Sequence, residues 1–211
     1  FFETGQRDSA EHYLDLMERR ARRSRSAVHA TRAQMFWASY ALADGRVGAA
    51  HLHLREARRR CVELQGGRDE LRAIGGLARF YAELGCWRIV DRLTAQGELL
   101  ARDIGLADDE HALLMLRLLE AESHDASGRL ERALELTAAV VGHLASRPHR
   151  TAYLTAMRLQ AVLLLRDGQA ARALAVAEDG LLLARRDHVV RMERSLLLRS
   201  AVALTRLGRL T

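Results

Sequence analysis

The sequence predicts an all-α protein, a solenoid of stacked antiparallel helix pairs, on three observations. Glycine recurs at Gly5, Gly45, Gly85, Gly128, Gly168 and Gly208, at intervals of 40, 40, 43, 40 and 40 residues. Short side chains keep step with it. Ala10, Ala50, Val90, Ala133 and Ala173 stand five residues after the first five glycines, and Ala38, Ala78, Ala121, Ala161 and Ala201 stand seven before the last five. The segments between are dominated by Leu, Ala and Arg, with Pro148 the one proline. These are strong helix formers, whereas the β-branched and aromatic runs suited to strands are scarce. A unit copied along a chain stacks on its neighbours to bury what it cannot hide alone.

Each forty-residue unit holds two helices, A and B, of roughly 14–18 residues with short connections. The periodic glycine is placed at the A-to-B turn, where a residue without Cβ takes a left-handed conformation and closes helix A. The alanines on either side face each other across the pair and let the backbones approach. Full hairpins are expected at about 26–64, 69–104, 109–145 and 148–185. Asp69, Asp108 and Asp187 precede the second, third and fifth A helices as caps or first-turn acids. Ser146 and Pro148 suit the start of the fourth. Gly66 and Gly67 end the helix through Cys61, Val62 and Leu64, and the three extra residues before Gly128 fall at the junction around residues 105–109. The B helices show apolar stripes: Ala50, Leu54, Ala57 and Cys61 in one, Val90, Leu93, Leu100 and Ile104 in the next.

In this register residues 1–5 are the tail of a helix A, residues 8–23 its helix B, and the helix through residues 196–207 an A helix reaching Gly208. Ten helices result, in one continuous domain over residues 1–211. The register also predicts a fragment of a longer chain. Its open ends would expose apolar surface, inviting flanking repeats or end-to-end self-association.

Hydrophobic residues make up 49% of the chain, ample for a folded domain. The longest apolar stretches, residues 161–165 and 181–184, are too short to span a bilayer, and no stretch resembles a secretory signal. Cys61 and Cys86 lack CxxC spacing and read as reduced and partly buried, so a cytoplasmic location is expected. All 33 basic residues are arginine, and the chain has neither lysine nor asparagine. That bias fits a high-GC bacterial genome. The net charge is +6, with clusters at Arg19, Arg20, Arg22, Arg23 and Arg25 and at residues 58–60. Such patches can mark nucleic acid. These fall at the ends of B helices, however, where cations complement the carbonyl end, and the 5% aromatic content offers no base-stacking platform. Direct nucleic-acid binding through them is the weaker reading.

No catalytic constellation, metal set or cofactor loop is expected. His51 and His53 are two apart, about 200° around a helix, and cannot share an ion. The acids of residues 108–110, ahead of His111, read as helix-capping groups. Glu120, Glu122, His124 and Asp125 spread around their helix. Ser195 near His188 has no acid to orient the base. Gly75 and Gly76 fall within a helix, where they permit close packing or a kink. Trp37, Tyr40, Phe80, Tyr81 and Trp87 read as core residues, with an aromatic pocket for a small effector as the alternative.

Two stretches suggest a family. They are Trp37-Ala38-x-x-Ala41-x-x-x-Gly45-x-x-x-x-Ala50-x-x-x-Leu54-x-x-Ala57 and Leu77-Ala78-x-x-Tyr81-x-x-x-Gly85-x-x-x-x-Val90. They resemble the tetratricopeptide (TPR) repeat, and Ala161, Leu164, Gly168, Ala173, Ala177 and Gly180 follow the same pattern. The period is near 40 rather than the 34 of the common repeat, and the closing proline is missing except at Pro148. This longer variety is similar to the repeat domain of large ATP-dependent LuxR-type bacterial transcriptional activators. The resemblance implies a right-handed superhelix whose inner wall is made by A helices. It further implies a noncatalytic protein- or peptide-binding scaffold, a regulatory segment of a multidomain signalling or transcription protein. A small-effector-sensing domain of a transcriptional activator is the alternative, and direct nucleic-acid binding a second. Transferring the family register to the A helices marks Arg32, Met35, Ser39, Arg72, Arg79, Glu83, Glu122 and Arg158 as groove candidates, with Leu42, Met115, Asp125, Arg166, Ser195 and Arg206 on the same wall.

Overall fold

The computed structural model describes residues 7–24, 27–63, 66–107, 111–145 and 150–209. Among them are ten α-helices and no strand. They are α1 (Arg7–Ser24), α2 (Ala27–Ala43), α3 (Val47–Glu63), α4 (Gly67–Glu83), α5 (Trp87–Asp103), α6 (His111–Ala126), α7 (Leu130–Leu144), α8 (Arg150–Arg166), α9 (Ala170–Arg186) and α10 (Val190–Arg206). Gly5, Asp108, Ser146 and Pro148 lie outside the described residues, as does Arg25.

The helices gather into two compact units, residues 1–107 and 108–211. In the first, each of α1 to α5 packs on its chain neighbour, and the A helices α2 and α4 also touch. In the second, α6 to α10 do the same, and the A helices touch as α6 with α8 and α8 with α10. Within each unit the A helices therefore form a wall of their own.

The turns explain the spacing. Gly45, Gly85, Gly128, Gly168 and Gly208 all have φ between +64° and +78°, the region that L side chains avoid. Each closes its helix with the same pair of bonds. At Gly85 its N–H donates to Ala82 O at 3.0 Å and the next N–H, of Cys86, donates to Tyr81 O at 2.9 Å. At Gly168 the donors are Gly168 and Gln169, and the acceptors Leu165 O and Leu164 O. The second bond, reaching five residues back, is the signature of the left-handed helix terminator. The residue after the glycine then opens helix B without side-chain capping, as Cys86, Arg129 and Gln169 do.

A paired substitution separates backbone conformation from contact. An added Cβ would meet nothing within 4 Å at either Gly128, which has φ +76°, or Gly142 inside α7. Gly142→Ala is expected to raise the unfolding free energy by about 0.5–1 kcal/mol, and Gly128→Ala to lower it by about 1–2 kcal/mol. Urea unfolding of both variants checks this; shifts of the same sign would contradict it.

The small residues flanking the glycine are the contact between A and B. Ala78, Ala121, Ala161, Ala50, Val90 and Ala133 are fully buried. In α3 the buried stripe is Ala50, Leu54, Ala57 and Cys61, as the spacing predicts. In α5 it departs. Val90 and Leu93 are buried, but the stripe continues through Thr94, Gly97 and Ala101 rather than Leu100 and Ile104. Small residues there bring the helix close, while Ile104 caps α5 and lies against Gly67, whose added Cβ would stand 2.9 Å from Ile104 Cγ2. Gly76, inside α4, faces Leu54 Cδ2 at 3.0 Å from the same hypothetical atom, so its role is close packing.

The capping acids divide. Asp69 sits in the first turn of α4 with Glu70. Asp187 does not cap the fifth A helix. It ends α9 at φ −96°, followed by His188 at φ +55°, and α10 starts after Val189. Its carboxylate accepts from Arg150 at 2.7 Å, tying the α9 end to the start of α8.

Candidate partner-binding surface

The A wall of the second unit is laced by charges one repeat apart. Arg158 on α8 stands 3.9 Å from the Glu122 carboxylate on α6. Arg166, also on α8, pairs with Asp125 of α6. Arg206 on α10 donates to the backbone carbonyl of Leu165 on α8. Arg166 and Arg206 occupy the same register, two before a turn glycine, and both reach the position three before the preceding turn glycine. The acids are the buried partners: the Glu122 and Asp125 side chains are 15% and 14% exposed, while Arg166 is 54% exposed. Half-exposed pairs of this kind contribute little stability individually. Their effect is to hold neighbouring A helices and their side chains in one geometry.

In the first unit the expected wall residues have separate fates. Arg32 and Ser39 are exposed on α2, and the Ser39 hydroxyl donates to Met35 O at 3.2 Å. Met35 packs on the cluster of Ala57, Cys61 and Ala73. Arg72 donates to Asp69 on its own helix at 2.7 Å. Arg79 is half-buried on α4 and Glu83 exposed at its end. Of the eight named candidates, Glu122 and Arg158 meet across neighbouring A helices, and Ser39 and Met35 within one.

Trp37, Phe80 and Tyr81 meet the two histidines of α3. His53 stacks on Trp37 at 6.1 Å with a 19° interplanar angle, and its Nδ1 lies 2.8 Å from Gln34 Oε1. His51 turns the other way, stacking on Phe80 at 5.5 Å while Nε2 meets the Tyr81 hydroxyl at 2.9 Å. Thus one imidazole serves α2 and the other α4, which explains the two-residue spacing without an ion. Among the described residues no group of three or more His, Cys, Asp or Glu is placed to hold a metal. Tyr40 and Phe80 are buried; Trp37, Tyr81 and Trp87 are half-buried.

Burial pushes the His53 imidazole below its ordinary value, with Glu18 opposing and Arg46 assisting. The folded chain thus prefers the neutral ring, while the unfolded chain takes up a proton near pH 6.5. Stability is present above that pH and lost as pH falls through it towards the folded value. His53→Gln is expected to show a smaller fall in Tm between pH 7 and pH 5 than the parent. Equal falls would contradict the assignment.

Two of the α3 arginines, Arg59 and Arg60, are ordered by one acid. Glu56 accepts from Arg59 at 2.8 and 2.7 Å and from Arg60 at 2.7 Å, and these bonds hold its carboxyl at about 2. Arg59 also pairs with Glu63. On α1, Arg19, Arg20 and Arg23 are exposed near the helix end. No described helix is long and apolar enough to cross a membrane.

Neither a scan against protein-family models nor a search of curated proteins found a match. Solved structures do match. BtubC (BKLC) from P. vanneervenii aligns with a TM-score of 0.75 at 15% identity, covering 99% of this chain and 85% of that one. A putative kinesin light chain from Podosopora anserina, with nearly identical TPR-like repeats, aligns with a TM-score of 0.64 at 21% identity, over 84% and 87%. Its Q17M form gives 0.59 at 20%, over 89% and 91%. At these identities the likeness bears on architecture, and the architecture of this chain is an all-α, TPR-like repeat fold.

Proposed function

We propose that the chain is a noncatalytic protein- or peptide-binding repeat scaffold, a regulatory segment of a multidomain bacterial signalling or transcription protein. The observation that supports it most is the A wall, on which arginines and acids one repeat apart are fixed against each other. A surface ordered before its partner arrives loses less conformational freedom on binding. Arg32, Met35, Ser39, Arg72, Arg79, Glu83, Glu122 and Arg158 are the proposed contact positions along A helices. The arginines suit carboxylates, which the guanidinium fork meets with paired donors. Aromatic faces turned to His51 and His53 favour this reading over an effector pocket at Trp37 or Tyr81. The regulatory setting rests on the resemblance to LuxR-type activators and is an analogy of fold.

Selection from a random displayed-peptide library tests the function. A consensus should be enriched and the chosen peptides should bind with one-to-one stoichiometry. The Arg72→Ala, Arg79→Ala double variant should then weaken them while leaving thermal unfolding unchanged. Failure to enrich any peptide would overturn the binding role, and undiminished affinity of the double variant would remove these two arginines from it.

A further inference from the structure

We propose that a groove beside α3, lined by none of the A-wall arginines, binds acidic peptide segments carrying an aliphatic side chain. The inference deepens the peptide-binding reading and rests on it. The groove has a volume of about 460 Å³ and is lined by Arg55, Arg58, Arg59, Val62 and Glu63 of α3 and by Leu77 of α4. Arg55, Arg58, Arg59 and Val62 lie three, four and seven residues apart, so one face of the helix carries them all.

The charges on that face are not balanced. Arg59 is held by Glu56 and Glu63. Neither Arg55 nor Arg58 has an acid partner among the described residues. Two guanidinium groups therefore line the groove with their donors unspent on any described residue. One turn beyond Arg58, Val62 is 54% exposed, an aliphatic side chain in the open, and Leu77 closes the floor. Cationic rim and aliphatic floor together match a segment that offers a carboxylate and an apolar side chain at once.

The occupant is a peptide rather than a small molecule or a nucleic acid. A small ligand's site encloses most of the ligand's surface, whereas this groove is open to solvent. Single-stranded nucleic acid is held by aromatic platforms as well as cations, and none of the six lining residues is aromatic. Arginine forks on a carboxylate combine charge with two parallel hydrogen bonds, which gives direction as well as attraction.

The test uses a fluorescein-labelled dodecapeptide alternating Glu and Leu, with Gln-Leu and Glu-Ser analogues, against the whole chain. The Glu-Leu peptide should bind roughly tenfold or more tightly than either analogue. The Arg55→Ala, Arg58→Ala double variant should lose a similar factor with its unfolding temperature unchanged, since Arg55 is exposed, Arg58 half-buried, and neither has an acid partner among the described residues. Val62→Asp provides an independent check and should weaken the same peptide. Equal binding of Glu-Leu and Gln-Leu, or no loss in the double variant, overturns the groove. If library selection enriches peptides but the Glu-Leu probe does not bind, this site fails while the scaffold reading stands; if neither binds, both fail. A single-stranded oligonucleotide that binds in place of the peptide, and is lost in the double variant, would overturn it in favour of nucleic acid.

Discussion

Leu154→Ala is expected to lower the unfolding free energy by about 2–5 kcal/mol. Leu154 lies on α8, fully buried in a cluster with Ala161, Ala177, Leu181, Ala184 and Leu196. Three members of that cluster are already alanine, Ala161 on α8 and Ala177 and Ala184 on α9, and hold these two helices at close range. They have no longer side chain with which to fill the space a missing isobutyl group leaves. A cavity that cannot collapse adds its own cost to the lost burial. Leu182, on the outer side of α9 and 67% exposed, is the control: Leu182→Ala should change stability by no more than about 0.5 kcal/mol. Urea unfolding with unchanged m-values compares the two. Equal effects would place Leu154 outside the core.

The opposite change tests the same contact from the other side. Gly180 is buried on α9, and a Cβ there would stand 3.1 and 3.3 Å from the two methyl carbons of Leu196 and 3.6 Å from Met157 Cε. Gly180→Ala asks Leu196 to give by a few tenths of an ångström, while removing a helix glycine gains about 1 kcal/mol. The two should nearly cancel. Gly180→Leu brings three more carbons into occupied space and is expected to cost about 3 kcal/mol. If Gly180→Leu unfolds at the same urea concentration as Gly180→Ala, α9 and α10 are not packed as closely as Leu196 implies.

The helix pairs were legible because their turn needs a rare backbone state. A left-handed residue between helices selects glycine, and close backbones select alanine, so Gly85 with Ala78 and Val90 leaves a local mark that recurs. The turn at His188 shows where that fails. It has the same left-handed geometry without glycine, so the sequence offered Asp187 as a cap for the next helix instead of the end of the last. Its partner Arg150 is 37 residues away, beyond any local pattern.

The same reason hid the polar lacing of the A wall. Arg166 and Asp125 are 41 residues apart, one repeat plus one. A search for opposite charges at that offset would have found them, and would have marked Arg166 as a bridge before a ligand contact. The groove beside α3 was hidden differently. Residues 58–60 read as one basic helix end, yet Glu56 claims Arg59 and Arg60 and leaves Arg55 and Arg58, on the groove face with Arg59, without an acid among the described residues. Leu77, from the following helix, completes that face only once α3 and α4 are packed.

Backbone chemical shifts test the repeated unit most directly. Helical Cα shifts should run through Val47–Glu63, Trp87–Asp103 and Ala170–Arg186. Each A-to-B turn should break them at its glycine, with left-handed values at Gly45, Gly85, Gly128, Gly168 and Gly208. Helical shifts continuing unbroken through Gly85 and Gly128, or extended shifts on either side of them, would contradict a chain built from glycine-hinged helix pairs.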